Sequence, residues 1–187
     1  MCRVLLPLAW WGRVRVSGLE AVPERGPLLV VPNHDSQMDP VVLGVALRKR
    51  RTLRFLARAN LWKIPGLGPV MRGMRQIPIE RGAGDAGAIG AAVAALEAGE
   101  AICVFPEGKL SLGEKLRARG GVARLKAACP GATIVLAAIS GTTDYVRFPR
   151  RPRVAVELFR PPEGMAEPQQ LLDALRERVP PVKAGRS

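Results

Sequence analysis

Compact apolar runs alternate with helix-like segments along this chain, and that alternation constrains the fold more than any other feature. Leu28 to Val31 is a run of four aliphatic residues ended by Pro32, the pattern of a buried strand. Thr52 to Ala57, Gln76 to Ile79, Ala101 to Phe105 and Thr133 to Ile139 read as further strands. Arg153 to Phe159 alternates apolar and polar side chains as an edge or antiparallel strand does. The intervening segments carry helix signals. Pro40 to Arg50 begins with a proline preceded by Asp39, a good N-terminal pair. Asp85 can cap a helix running to Ala98, with Ile89, Val93 and Leu96 on one face and Gly99 to end it. Gly121 to Ala128 is a further helix. Glu167 to Val179 is another, with Pro168 in its first turn and Leu171, Leu172, Leu175 and Val179 facing inward. Together these predict an α/β fold: a single-domain sandwich of a mixed central sheet with flanking helices. A chain of 187 residues buries enough surface to need no metal or disulfide staple. In such folds ligands gather at the loops that follow the strands.

Charge is the next constraint. Lys and Arg number 29 against 16 Asp and Glu, a formal net charge of +13. That sign favours polyanionic partners: nucleic acid, anionic lipid headgroups or phosphorylated substrates. Basic residues gather at Arg48, Lys49, Arg50, Arg51 and Arg54, and again at Arg147, Arg150, Arg151 and Arg153. Either cluster also reads as plain solvated surface. A nucleic-acid module would interleave aromatic side chains with its basic ones. The single Tyr and four Phe lie mostly outside the clusters, so no nucleic-acid partner is expected.

Three cysteines, Cys2, Cys103 and Cys129, are widely spaced and have no metal-ligand spacing. With one histidine, no metal site is expected, and inert thiols in a reducing compartment are the default. The longest uncharged run, Ala127 to Thr143, holds Pro130, Gly131, Ser140 and Gly141, and reads as a turn plus a buried strand, not a membrane span. The N-terminal segment 1–16 carries Leu5, Leu6, Leu8, Trp10 and Trp11 between arginines. It is too short to span, and is open to two readings: an amphipathic segment facing a membrane, or a first helix packed on the core.

His34 is the sole histidine and follows the Leu28–Val31 strand, with Asp39 five residues on. On a regular helix those side chains would diverge by about 140°, so the spacing makes sense across a turn leading into a helix. Such a turn can fold the carboxylate back onto one ring nitrogen, fixing the tautomer and leaving the other nitrogen as a base. A satisfied structural histidine and a simple N-cap are the alternatives from these two residues alone. No G-x-S-x-G elbow is present.

The surrounding sequence, Asn33-His34-Asp35-Ser36-Gln37-Met38-Asp39-Pro40, resembles the NHxxxxD motif of the glycerolipid acyltransferases typified by 1-acyl-glycerol-3-phosphate acyltransferase. Three more blocks follow in the expected order. Gly73-Met74-Arg75-Gln76-Ile77-Pro78-Ile79-Glu80-Arg81 is similar to the second motif, which ends in a phosphate-binding arginine. Phe105-Pro106-Glu107-Gly108-Lys109-Leu110-Ser111 is similar to the third, usually written FPEGTRS. Ile134 to Thr142 is similar to the fourth, with Leu136 where proline is usual. Val16-Ser17-Gly18-Leu19-Glu20 is similar to the family's lead-in. The motif-bearing core spans 13–160 and the whole chain reads as one acyltransferase domain, 1–187.

The resemblance implies O-acyl transfer of the 1-acylglycerol-3-phosphate type, from a thioester of coenzyme A or acyl carrier protein to a lysophosphatidic-acid-like glycerophospholipid. It implies no cofactor beyond that co-substrate. It makes His34 and Asp39 a catalytic dyad. Substrate-binding roles fall to Arg81, Phe105, Pro106, Glu107, Gly108, Lys109 and Ser111. The positive charge, with no run long enough to span, points to peripheral attachment at the cytoplasmic face of an anionic membrane. Lys109-Leu110 stands where the family has Thr-Arg, and that arginine helps hold the acceptor phosphate. Lys109 offers a point charge one position earlier, without the bidentate fork. The departure keeps two alternatives open: transfer to a different lysophospholipid or polar alcohol, and a non-catalytic lipid-binding relative.

Overall fold

The computed structural model describes residues 14–80, 86–112, 114–143 and 153–180. Seven strands form one sheet: β1 (Val14–Ser17), β2 (Leu28–Pro32), β3 (Leu53–Arg58), β4 (Ile77–Ile79), β5 (Ala101–Cys103), β6 (Thr133–Ser140) and β7 (Val154–Phe159). Their spatial order is β1-β7-β6-β2-β5-β3-β4. The β6–β7 pair is antiparallel and every other pair is parallel. Five α-helices flank the sheet: α1 (Asp39–Leu47), α2 (Leu67–Gly73), α3 (Ala86–Glu97), α4 (Gly121–Ala128) and α5 (Pro168–Arg178). The fold class is α/β with a mixed sheet, as the alternation of elements predicts.

The core has two sides because the central strands are buried on both faces. Along β2, Leu29 and Val31 join Ile102, Ile134 and Leu136 on one side, where α3, α4 and α5 supply Ala92, Leu96, Val122, Leu125, Leu171 and Leu175. Leu28 and Val30 face the other side with Val135, Ala137 and Ile139, beneath Val42, Leu43 and Leu47 of α1. The two-residue period of a strand sends successive side chains to opposite faces. Unbroken apolar runs therefore mark the middle of a sheet with helices on both sides.

Several expectations change. β7 is antiparallel to β6, but β1 pairs along its other side, so β7 is not an edge. The edges are β1 and β4, and the edge position of β4 lets Pro78 lack its amide proton. β1 and α2 carry no clear signal of their own. α1 begins at Asp39 and stops at Leu47, and its first-turn carboxylate does not cap it. β5 ends at Cys103, leaving Phe105 in the loop beyond. Residues 1–13 of the N-terminal segment, Arg81, Asp85, and Arg147, Arg150 and Arg151 of the second basic cluster lie outside the described residues.

The 48–54 cluster is largely built into the fold. Arg51 is 8 % exposed and its guanidinium donates to the carbonyls of Pro23, Gly26 and Gly99 at 2.8–3.1 Å. Arg54 meets Glu100 at 2.6 Å and Arg50 meets Glu24 at 3.1 Å. This group sits where β2, β3 and β5 begin. Leu61, Trp62, Ile64 and Leu67 follow the far end of β3, so the cluster and that apolar segment are neighbours in sequence only. The strand between them separates them by roughly 17 Å. Among the described residues, no helix is long and apolar enough to cross a membrane.

Candidate active site

Strands β2, β3, β5 and β6 run parallel, so the loops after them open at one end of the sheet, and the first, third and fourth motif blocks converge there, while Arg75 and Gln76 of the second block make their contacts with Glu100 and the start of β3. β2 delivers Asn33 and His34, β5 delivers Phe105 to Ser111, and β6 delivers Gly141 and Thr142. Asn33 extends the ladder beyond the last backbone rung. Its Nδ2 donates to Ile139 O at 2.9 Å, and Ile139 N–H donates to its Oδ1 at 2.7 Å. The same Nδ2 reaches Asp35 Oδ2 at 2.8 Å. The strand ends are thereby locked in register at the point where the chain turns.

Across that turn Asp39 folds back as its spacing predicts. Its Oδ2 lies 3.2 Å from His34 Nδ1 and accepts the Ser36 N–H at 2.8 Å. Its Oδ1 accepts the Thr142 hydroxyl at 2.6 Å. Asp39 is fully buried, and each oxygen is satisfied, as a buried carboxylate must be. An anion accepting from His34 Nδ1 selects the tautomer with its proton there and leaves Nε2 as the acceptor. The His34 side chain remains 17 % exposed. Phe105 stacks on the imidazole, ring centroids 4.0 Å apart and planes 27° from parallel, which fixes the ring's plane.

Gly141 makes the Thr142 contact possible. Its φ of +79° lies in the left-handed region, and a Cβ there would collide with the backbone carbonyl of Arg153. Only glycine fits that backbone without strain.

The third block forms a frame behind His34. Glu107 is 2 % exposed; its Oε2 accepts the His34 backbone N–H at 2.7 Å, and its Oε1 pairs with Arg176 Nη2. Ser111 N–H donates to His34 O at 2.8 Å. The Ser111 hydroxyl donates to Asp35 Oδ1 and accepts from Arg176 Nη2 at 3.0 Å. Arg176 Nη1 reaches Asp35 Oδ2 at 2.9 Å. Burial pushes the Glu107 carboxyl up, outweighing the Arg176 charge and the hydrogen bonds from Arg176 and His34. Burial also pushes Asp35 up, but hydrogen bonds from Arg176, Ser111 and Asn33, together with the Arg176 charge, bring it below its ordinary value.

The expected site residues therefore divide. His34 and Asp39 meet directly. Phe105, Glu107 and Ser111 frame His34, with both Glu107 oxygens already engaged by the protein, while buried Pro106 accepts the Arg119 N–H through its carbonyl. Gly108 and Lys109 are exposed at the rim. Four contributors were missed. Asn33, Asp35 and Thr142 stand inside the quoted blocks without roles. Arg176 had a readable signal: it sits four residues after buried Leu172 and one after buried Leu175, a charge on the inward stripe of α5. Among the described residues no cluster of His, Cys, Asp and Glu could hold a metal.

Comparisons with known proteins agree with this geometry. The acyltransferase family model matches residues 13–140. An uncharacterized protein of Mycobacterium leprae is 30 % identical over 166 residues, covering 81 % of this chain and 43 % of its own length. A lyso-ornithine lipid O-acyltransferase of Pseudomonas aeruginosa is 36 % identical over 134 residues, covering 71 % of this chain and 49 % of its own length. The chain thus spans less than half of either relative. The crystal structure of the 1-acyl-sn-glycerophosphate (LPA) acyltransferase PlsC from Thermotoga maritima superposes with a TM-score of 0.66 at 25 % identity, covering 88 % of this chain and 68 % of that one. With the family model matching residues 13–140, more than half of the chain, and three of its four blocks meeting at one end of one sheet, the chain belongs to the acyltransferase family, within the glycerolipid acyltransferase superfamily.

Proposed function

We propose that this chain moves a fatty acyl group from a thioester to the free hydroxyl of a lysophosphatidic-acid-like glycerophospholipid, with His34 as general base. The observation that carries the reading is the His34 Nδ1 to Asp39 Oδ2 contact of 3.2 Å, buried on the Asp39 side and open on the His34 side. His34 Nε2 takes the proton of the acceptor hydroxyl as that oxygen attacks the thioester carbonyl. Asp39 holds the ring and stabilises the imidazolium so formed. The tetrahedral intermediate collapses with cleavage of the carbon–sulfur bond, and the imidazolium returns its proton to the departing thiolate. The products are an ester and a free thiol, and no covalent acyl-enzyme is required. Coenzyme A or acyl carrier protein serves as the thiol carrier, and no cofactor takes part.

Lys109, exposed at the rim, supplies positive charge for the acceptor phosphate, with Arg81 assigned the same role by the family motif. Holding both substrates in place provides much of the acceleration. Attachment to an anionic membrane suits the net charge of +13, at about 1 kcal/mol per well-placed Lys or Arg. Leu61, Trp62, Ile64 and Leu67 follow β3 at the same end of the sheet as His34, and Ile64 is 46 % exposed. That placement supports shallow insertion beside the site.

A second reading is favoured by Leu110, where the family has arginine, and by the similarity to a lyso-ornithine lipid O-acyltransferase. In it the same chemistry acts on a lysolipid that has no phosphate for that arginine to hold.

Thiol release from a long-chain acyl-CoA, with and without lysophosphatidic acid, tests the proposal against His34→Ala. Acceptor-dependent release that is lost in a folded mutant is expected. Activity with lyso-ornithine lipid and none with lysophosphatidic acid selects the second reading. Silence across a panel of donors and acceptors, or equal activity in the mutant, overturns both.

A further inference from the structure

Two carboxylates lie close behind His34, both nearly inaccessible to water: Asp35 at 3 % and Glu107 at 2 % exposure. They come from different strand-end loops, and one guanidinium joins them. Arg176 Nη1 pairs with Asp35 Oδ2 at 2.9 Å, Nη2 pairs with Glu107 Oε1, and Nη2 also meets Ser111 Oγ at 3.0 Å. The arginine comes from α5, beyond the 13–140 segment that the family model matches. We propose that Arg176 is a positioning residue of the transfer reaction, clamping the loops after β2 and β5 together so that the Glu107 carboxylate holds the His34 backbone in place. The inference rests on His34 being the base.

The physical reason lies in the alternative. Two buried carboxylates without a shared cation cannot both stay ionised, and the one already pushed up takes a proton. Glu107 is that one, because burial raises it even with Arg176 present. Protonated, it is a poorer acceptor for the His34 N–H, and the turn carrying the base loosens. A lysine could neutralise the charge but could not meet two carboxylates and a hydroxyl with one planar fork. The groups facing Glu107 are His34 N–H and Asp35 from the loop after β2, Ser111 and exposed Lys109 from its own loop, Arg119 alongside Gly108, and Arg176 from α5. Of the cations among these, Arg176 alone makes an ion pair with Glu107.

The test compares Arg176→Met and Arg176→Lys with Arg178→Met. Arg178 lies on the same helix but pairs with Glu157 and covers Phe159, away from the frame. Steady-state rates are measured against pH on folded protein, and the Glu107 side-chain carboxyl is titrated by carbon NMR. Arg176→Met is expected to lower kcat on the order of 10²-fold, with KM for the thioester nearly unchanged and the acid limb of the rate profile moved to higher pH. The Glu107 titration moves the same way, since the lost guanidinium was holding it down. Arg176→Lys falls between, and Arg178→Met keeps the wild-type limb. A folded Arg176→Met with wild-type kcat and limb overturns the proposal, as does an equal loss in Arg178→Met with no limb shift. If Arg176→Met does not fold, Arg176→Lys decides: wild-type kcat and limb would overturn it. If the wild type proves inactive on every donor and acceptor, the proposed function falls, while the carboxyl titration still decides the clamp: an unmoved Glu107 overturns it.

Discussion

Thr142 donates its hydroxyl to Asp39 Oδ1 across 2.6 Å, joining the end of β6 to the start of α1 over 103 residues of chain. The bond occupies the carboxylate oxygen that His34 does not use. Asp39 thus has one oxygen for the imidazole and one for the scaffold, and its plane is fixed from both sides. Asp39→Asn keeps the shape but loses the anion that selects the tautomer, and kcat should fall about 10²–10⁴-fold. Thr142→Val leaves a fully buried oxygen without its donor, costing about 1–3 kcal/mol, and kcat should fall about tenfold. Rates of thiol release together with thermal unfolding check both. A Thr142→Val enzyme with unaltered rate and melting temperature would show that the bond plays no part.

Gly141→Ala should destabilise the fold by about 1–3 kcal/mol or more, from the left-handed backbone and from the overlap with the Arg153 carbonyl. The backbone shift that relieves the overlap would carry Thr142 away from Asp39. Denaturant unfolding and kcat should therefore worsen together. A stable Gly141→Ala variant of unchanged rate contradicts the account.

Arg51→Met should lower stability without altering the chemistry. Three partly buried backbone carbonyls at the opposite end of the sheet lose a charged donor, at a cost of about 1 kcal/mol or more. Below the melting transition kcat should match wild type. A selective loss of rate in a fully folded variant would place Arg51 in the site's machinery instead.

Cys103 is fully buried, and burial pushes its thiol well up, so almost no thiolate exists to act as nucleophile. Cys103→Ala should retain kcat and lose roughly 1 kcal/mol of stability from poorer packing. In the native protein Cys103 should resist alkylation, as mapped by mass spectrometry, and become labelled on unfolding. Loss of the chemical step in this variant would reopen a covalent cysteine mechanism.

Ile64→Asp should weaken binding to vesicles containing an anionic lipid, because it puts a charge on an apolar residue 46 % exposed at the His34 end of the sheet. Cosedimentation reads this directly. The rate with a water-soluble short-chain thioester should stay near wild type. Equal vesicle binding by mutant and wild type removes this segment from any membrane role.

Sequence alone determined the elements whose signals are local. The unbroken apolar runs of β2 and β6 announce strands buried on both faces, since a period of two with both phases apolar leaves no solvent side. The inward leucines of α5 announce its packing face for the same kind of reason. His34 and Asp39 were legible as a pair because only four residues separate them, and the four blocks marked the family. Tertiary structure decided the rest. It decided that Asp39 leans on Thr142, that Asn33 supplies a rung to β6, and that Arg176 reaches Asp35 and Glu107 from 141 and 69 residues away in sequence. It also decided that much of the 48–54 cluster is structural, with Arg51 buried under backbone carbonyls, and that β1 shields the flank of β7. Such partners are set by which strand ends and helix faces meet in space, and a buried charge acquires its role from the groups that satisfy it there.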